Sequence, residues 1–139
     1  MSLQQRAGSH RPRTRFVPLA DLVVGAGLTV QSASIVLAIW ARRHLGRNWS
    51  GAVAVAVDHQ LVRSGPYRIV RHPIYSAMLG MYAGTGLVSG ELHALLALGV
   101  VIAAYGRKIP LEERTLGDVF GPAYEAYRRE TWALIPGLF

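Results

Sequence analysis

Two long stretches of the chain carry almost no charge, and this feature limits its possible folds most strongly. Residues 22–41 contain no Asp, Glu, Lys or Arg, and between Arg71 and Arg107 the only formal charge is Glu91. An α-helix needs about 20 consecutive apolar residues to cross a bilayer. In a soluble bundle, helices with hardly any polar face would have nothing to present to water. The pattern therefore predicts an all-α integral membrane protein.

The apolar stretches divide into about three transmembrane helices. We expect these at about 18–41, 73–89 and 92–105, with a hairpin at Gly90 and Glu91. Beyond Arg107 the sequence turns polar and predicts short cytosolic C-terminal helices at 111–120 and 123–129, then an apolar tail at 132–139 suited to the interface. Residues 52–57 fit either a short strand or an interfacial segment. The polar residues 1–15 predict a mobile basic arm, and 16–139 a single domain.

The basic residues lie beside the apolar stretches. The chain has 15 Lys and Arg against 8 Asp and Glu, and on a soluble protein this excess would indicate nucleic-acid binding. Here it follows the pattern of juxtamembrane charge, so we expect no nucleic-acid partner. Residues 42–71 and the chain from Arg107 share one side and hold eleven of these basic residues. The positive-inside rule places that side in the cytosol, although four arginines in the arm oppose this orientation.

Some kinds of site are excluded by composition or spacing. The chain has no cysteine, which rules out disulfides, thiolate metal ligands and a cysteine nucleophile. Its histidines are scattered at positions 10, 44, 59, 72 and 93. We therefore expect no metal site.

The first region with chemical content leads into the second span. Residues 59–75 read HQLVRSGPYRIVRHPIY. Pro73 suits the first position of a helix, and His72 and Tyr75 would share a face of its first turn. The free backbone N–H groups of a helix start attract an anion or carboxylate, and Arg68 and Arg71 would strengthen that attraction. The alternative is an ordinary helix start whose arginines reach the membrane surface.

Two adjacent carboxylates follow the third span. Glu112 and Glu113 would project about 100° apart on a helix. Carboxylates directly below a membrane span are costly unless they are solvated or paired. We expect Glu113 to face water or Arg114 and Glu112 to face the helix bundle.

Taken together, these strings resemble the isoprenylcysteine carboxyl methyltransferase family, which is similar to the membrane phospholipid N-methyltransferases. The similarity covers about 45–137. It rests on SGPY at 64–67, RHPIY at 71–75, two spans, EE at 112–113, and FG at 120–121 with tyrosines at 124 and 127. The RHPIY string also resembles one in membrane sterol reductases, whereas the C-terminal strings favour the methyltransferases.

The resemblance implies an S-adenosylmethionine-dependent methyltransferase domain at 16–139, and the positive-inside rule predicts that its active site faces the cytosol. Its substrate would be lipophilic or lipid-modified and embedded in the bilayer. The implied cofactor contacts are His59, Gln60, Leu61, Val62, Tyr67, His72, Pro73, Ile74, Tyr75 and Glu112. Substrate binding falls to Lys108 or Arg107, because the family usually has Arg at the position of Lys108 and here the arginine is one residue earlier. No catalytic residue or oligomeric state is implied.

The chemistry of the acceptor leaves alternatives open. A carboxylate nucleophile needs no general base, whereas an amine must arrive deprotonated and no base for it is evident. This favours carboxyl O-methylation over phospholipid or amine N-methylation. Two further alternatives are an NADPH-dependent membrane reductase of the sterol type and a membrane scaffold without enzymatic activity.

Overall fold

The computed structural model describes residues 21–46 and 60–138. In these two ranges four α-helices follow one another: α1 (Asp21–Leu45), α2 (Pro73–Ser89), α3 (Leu92–Phe120) and α4 (Pro122–Glu130). A short 3-10 turn at Gly65–Arg68 precedes α2. Val70 and Trp132 form a parallel bridge. The predicted arm at 1–15 and the segment at 52–57 lie outside the described residues, and their predictions stay untested.

α1 and α2 pack closely because small residues face each other along their contact. A methyl group added to Gly84 would lie 2.7 Å from the carbonyl oxygen of Gly27, and one added to Gly80 would overlap the Ser34 hydroxyl. Membrane helices associate through such close backbone contact, since lipid provides no hydrophobic drive for their association. The small residues Gly27 and Ser34 therefore let α2 approach α1 closely.

Most of the apolar surface of α1 and α3 is uncovered within the described part of the chain. Their most apolar 18-residue windows have mean hydropathies of 2.0 and 1.5, yet only 11% and 6% of these windows are buried. The core helix of a soluble domain would bury its apolar residues. With 25 and 29 residues, both helices exceed the length of about 20 residues that a bilayer requires. α2 has 17 residues and is about 26 Å long, the short helix that the sequence predicts.

α3 is one continuous helix, although the sequence predicted a span ending near Tyr105 and a separate helix from residue 111. Pro110 lies inside it. An interior proline removes one backbone hydrogen bond and crowds the carbonyl four residues earlier, which here belongs to Gly106. The predicted break was wrong because the second half of α3 is held by contacts with the start of α2 and with α4. At 29 residues α3 is about 43 Å long, so it projects beyond about 30 Å of hydrocarbon.

α4 follows α3 after a turn and carries two buried tyrosines: Tyr124 lies beside Gly117 of α3, and Tyr127 donates a hydrogen bond to the Tyr67 carbonyl. The connection is made at Gly121, whose φ of +52° is a conformation that glycine adopts readily. The short helix predicted at 123–129 is confirmed as Pro122–Glu130.

The chain after α4 pairs with the residues just before α2. The Trp132 amide donates to the Ile69 carbonyl at 3.0 Å, and the His72 amide donates to the Ala133 carbonyl at 3.0 Å. The Ser76 hydroxyl adds a hydrogen bond of 2.6 Å to a tail carbonyl, that of Leu134. This pairing fixes the entrance of α2 against the C-terminal segment.

Candidate active site

The start of α2 and the middle of α3 meet in a cluster formed by His72, Tyr75, Lys108 and Glu112. The His72 and Tyr75 rings stack with centroids 5.6 Å apart, and the Tyr75 hydroxyl donates to Glu112 Oε1 at 2.6 Å. Lys108 Nζ lies 3.7 Å from that same oxygen and 5.3 Å from the centroid of the Tyr75 ring. The predicted shared face of His72 and Tyr75 is confirmed, and the two motif regions converge at one end of the helices.

Tyr105 extends this cluster and was missed in the sequence. Its ring stacks on that of Tyr75 with centroids 4.4 Å apart. Tyr105, Lys108 and Glu112 are spaced i, i+3 and i+7, a spacing that places side chains on one helix face. That signal becomes visible once α3 is treated as continuous through Pro110.

Glu113 lies on the other side of His72, and the prediction that it faces water was wrong. Its side chain is only 11% exposed. Glu113 Oε1 accepts from Arg71 Nε at 2.8 Å and lies 3.3 Å from His72 Nε2, and Arg128 Nε lies 3.5 Å from Oε2. The 100° rotation from Glu112 points the carboxylate at α4 and the chain before α2, which only the folded structure places there.

These contacts keep Glu113 ionised at neutral pH. Its position lies beyond Arg107, outside the membrane-spanning part of α3. Burial by itself would raise the pKa of the Glu113 carboxyl. Hydrogen bonds from His72 and Arg71, together with the charge of Arg71, outweigh burial and lower this pKa to about 2.

Arg71 connects three parts of the chain, and its charge is paired with Glu113 and is not directed at an anionic ligand. Besides contacting Glu113, its Nη1 donates to the carbonyl of Arg128 at 3.1 Å and to the carbonyl of Thr131. Its backbone amide donates to the carbonyl of Trp132 at 2.8 Å. The expectation that Arg71 strengthens anion attraction at the start of α2 is therefore wrong, while Arg68 stays exposed.

Lys108 and Arg107 differ in what they reach. Lys108 is half-buried and contacts Glu112 and Tyr75. Arg107 is exposed, and no hydrogen bond or ion pair links it to a residue in 21–46 or 60–138. Of the two predicted substrate contacts, Lys108 is the one that belongs to the cluster.

The other predicted cofactor contacts near the start of α2 are not members of the cluster. Tyr67 is buried, and its carbonyl accepts a hydrogen bond of 2.8 Å from the hydroxyl of Tyr127, whose pKa burial raises to about 12. Pro73 is fully buried as the first residue of α2, and Ile74 is half-buried.

The first motif begins at His59, and the described residues resume one position later. His59 lies outside the described residues. Gln60 is exposed, whereas Leu61 and Val62 are half-buried. Their part in cofactor binding stays a prediction.

A cleft of about 1200 Å³ lies between α3, α4 and the C-terminal segment. Arg71, Glu113, Arg114, Arg128 and Trp132 are among its lining residues. The predicted cofactor contacts from Gln60 onward do not line it, and neither does Lys108. The Arg71–Glu113 pair borders the cleft. His72, a member of the cluster, contacts Glu113 of this pair.

The comparison with protein families identifies this arrangement. The family model described as phospholipid methyltransferase matches residues 21–123, which include α1, α2, α3 and the whole cluster. The chain belongs to the phospholipid methyltransferase family.

Curated relatives of this phospholipid methyltransferase family member include isoprenylcysteine enzymes. A probable protein-S-isoprenylcysteine O-methyltransferase of Oryza sativa subsp. indica is 27% identical over 124 residues, which cover 87% of this chain and 60% of the relative. The protein-S-isoprenylcysteine O-methyltransferase of Schizosaccharomyces pombe is 35% identical over 80 residues, covering 57% of this chain and 34% of the relative. The chain thus spans 60% or less of the length of these two relatives.

A solved structure shares the fold of this family member. It is that of the eukaryotic intramembrane Ras methyltransferase, isoprenylcysteine carboxyl methyltransferase, which matches with a TM-score of 0.77 and 27% identity. The match covers 84% of this chain and 43% of that chain. The family resemblance and the all-α membrane fold predicted from the sequence are both confirmed.

Proposed function

We propose that the chain is a membrane methyltransferase that moves the methyl group of S-adenosylmethionine to a carboxylate on a lipophilic or lipid-modified acceptor at the cytosolic face. The observation that carries the proposal is the cluster itself, in which Glu112 and Lys108 are set beside the stacked rings of Tyr75 and Tyr105. The relatives named as isoprenylcysteine O-methyltransferases support the acceptor class.

The residues of the cluster fit such a methyl donor. Its ammonium and ribose hydroxyls are hydrogen-bond donors, and Glu112 offers a carboxylate that is only 18% exposed. Charge-assisted hydrogen bonds to a carboxylate are stronger than neutral ones. The tyrosine rings provide flat surfaces beside it, and the charge of Lys108 suits an acceptor carboxylate.

S-adenosylmethionine would supply a methyl group on a sulfonium, which an acceptor oxygen takes up as the carbon–sulfur bond breaks and a neutral thioether leaves. The protein then has two tasks, to align the two reactants and to exclude water. Glu112 would hold the donor and Lys108 the acceptor. Lys108 Nζ lies 3.7 Å from Glu112 Oε1 in this structure. No general base is required for a carboxylate acceptor.

The structure weakens the case for a nicotinamide-dependent reductase. In that alternative the arginines before α2 would clamp the phosphates of the cofactor. Arg71 is instead held by Glu113, Arg128 and Thr131. N-methylation of a phospholipid remains the alternative reaction, because the matching family model is described as phospholipid methyltransferase.

Binding to the detergent-purified protein tests the donor. S-adenosylmethionine should bind and NADPH should not. Glu112→Gln should weaken S-adenosylmethionine binding about tenfold or more, because a hydrogen bond to a charged group contributes about 1.5–3 kcal/mol and 1.4 kcal/mol is a decade. Glu130→Gln is the matched control, since Glu130 is an exposed carboxylate paired with Arg63. NADPH binding, or equal effects of the two substitutions, would refute the donor assignment.

Transfer of a labelled methyl group tests the acceptor. The protein should methylate an S-prenylated N-acetylcysteine and lose that activity when the carboxylate is amidated. Vesicles of phosphatidylethanolamine provide the amine acceptor. Labelling of the phospholipid alone would replace carboxyl O-methylation by N-methylation.

A further inference from the structure

His72 lies between two carboxylates, one facing each ring nitrogen. His72 Nε2 is 3.3 Å from Glu113 Oε1, and His72 Nδ1 is 3.7 Å from Glu112 Oε2. The first distance is close enough for a hydrogen bond and the second is too long for one. The ring is 7% exposed and stacks on Tyr75, so water has little access to it.

A neutral imidazole has one N–H and one acceptor nitrogen, and the partner of one nitrogen sets the role of the other. Glu113 Oε1 is the nearer acceptor, at 3.3 Å from Nε2 against 3.7 Å between Glu112 Oε2 and Nδ1, so it favours the neutral form with the proton on Nε2. Nδ1 then presents its lone pair on the side of Glu112. The charge of Glu113 is offset by Arg71, with 2.8 Å between Nε and Oε1.

The second oxygen of Glu112 has no donor within hydrogen-bonding distance in residues 21–46 and 60–138. The Tyr75 hydroxyl and Lys108 Nζ both approach the first oxygen, Oε1. Two acceptors, His72 Nδ1 and Glu112 Oε2, therefore lie 3.7 Å apart and lack a common donor.

We propose that Glu113 is a positioning residue that fixes the His72 tautomer, so that His72 Nδ1 and Glu112 Oε2 together accept from a donor group of the methyl-donor substrate. The group is an ammonium or a hydroxyl. This inference rests on the proposed function. Glu113 acts through His72 and does not touch the ligand itself.

A purely structural role for Glu113 is the competing explanation. Arg71 contacts Glu113 of α3 and the carbonyls of Arg128 and Thr131, so the pair also forms a junction between α3 and the end of α4. Arg71→Lys separates the two roles. Lysine keeps the charge but lacks the fork of donors that reaches several acceptors at once. It should loosen the junction and leave the Glu113–His72 contact in place.

The first test measures the tautomer directly and needs neither ligand nor variant. Nitrogen-15 NMR of the full chain in detergent at neutral pH, with the ring signals correlated to the backbone of His72, should show Nε2 protonated and Nδ1 bare. A proton on Nδ1, alone or with one on Nε2, would overturn the inference. This outcome is independent of whether the protein binds S-adenosylmethionine, so it separates failure of the inference from failure of the proposed function.

The second test compares variants by melting temperature and by affinity for S-adenosylhomocysteine. Glu113→Gln should weaken binding about tenfold, the loss of about one well-oriented hydrogen bond, and should shift the His72 nitrogen signals. Arg71→Lys should lower the melting temperature with a change in affinity of less than about twofold. Affinity losses that follow melting temperature in both variants would show a structural role only and overturn the inference.

A truncated ligand identifies the group that the acceptor pair receives. 5′-Methylthioadenosine keeps the ribose hydroxyls and lacks the ammonium. If Glu113→Gln weakens its binding as much as that of S-adenosylhomocysteine, the pair accepts from a hydroxyl. If its binding is unchanged, the pair accepts from the ammonium.

Discussion

Removal of the Glu113 charge should abolish one part of the acid sensitivity of the fold. The pKa of this carboxyl is about 2 in the folded protein against an ordinary 4.5. The difference corresponds to about 3 kcal/mol, at about 1.36 kcal/mol per pKa unit. Because the folded pKa is the lower one, this stabilisation is present above about pH 4.5 and is lost as the pH falls towards about 2. Glu113→Gln should therefore cost up to about 3 kcal/mol at neutral pH and less as the solution becomes more acidic.

Thermal unfolding in detergent, followed by tryptophan fluorescence from about pH 7 to about pH 3, measures this effect. The wild-type midpoint should fall with acid and approach that of Glu113→Gln, whose own midpoint should vary less. Glu130→Gln is the control. Glu130 is also paired with an arginine, with 2.6 Å between its Oε2 and Arg63 Nη2, but its side chain is 67% exposed. An exposed ion pair contributes at most about 1 kcal/mol. Parallel pH curves for wild type and Glu113→Gln would refute the assignment of this carboxylate to a buried, paired state.

Two further predictions concern packing and sidedness. Gly84→Val should lower the melting temperature because a Cβ there meets the Gly27 carbonyl at 2.7 Å, whereas Gly99→Val meets nothing within 4 Å; equal melting temperatures would contradict the α1–α2 contact. The chain lacks cysteine, so single cysteines placed at Arg63 and Arg129 can be labelled in sealed vesicles. Both should react from the cytosolic side, and labelling from opposite sides would contradict a shared site.

Local patterns predicted several elements to within a residue or two. Pro73 begins α2 and Gly90 ends it, because proline suits the first turn of a helix and glycine adopts the left-handed conformation of the C-cap, here with φ of +63°. His72 and Tyr75 could be paired from their spacing alone. The continuity of α3 could not, because a proline in sequence marks a break unless tertiary contacts compensate for it.

The sequence by itself determined the class of the protein. Charge-free stretches of membrane-spanning length, juxtamembrane arginines and the strings at 64–75 and 112–127 are local features, and they were sufficient for an all-α membrane fold and for the family. Helix periodicity also placed Glu112 and Glu113 on different faces.

Only the tertiary structure decided what each of those faces meets. The C-terminal segment returns to pair with the residues before α2, and this places Arg71 and His72 against Glu113. A carboxylate expected to face water thereby becomes an ionised partner whose side chain is only 11% exposed, while its neighbour Glu112 reaches Tyr75 on α2. The contacts of Arg71 and His72 with Glu113 and of Tyr75 with Glu112 join residues 37 to 42 positions apart in the chain. Periodicity gives the direction of a side chain on its own helix, whereas the partner it meets depends on how the segments pack.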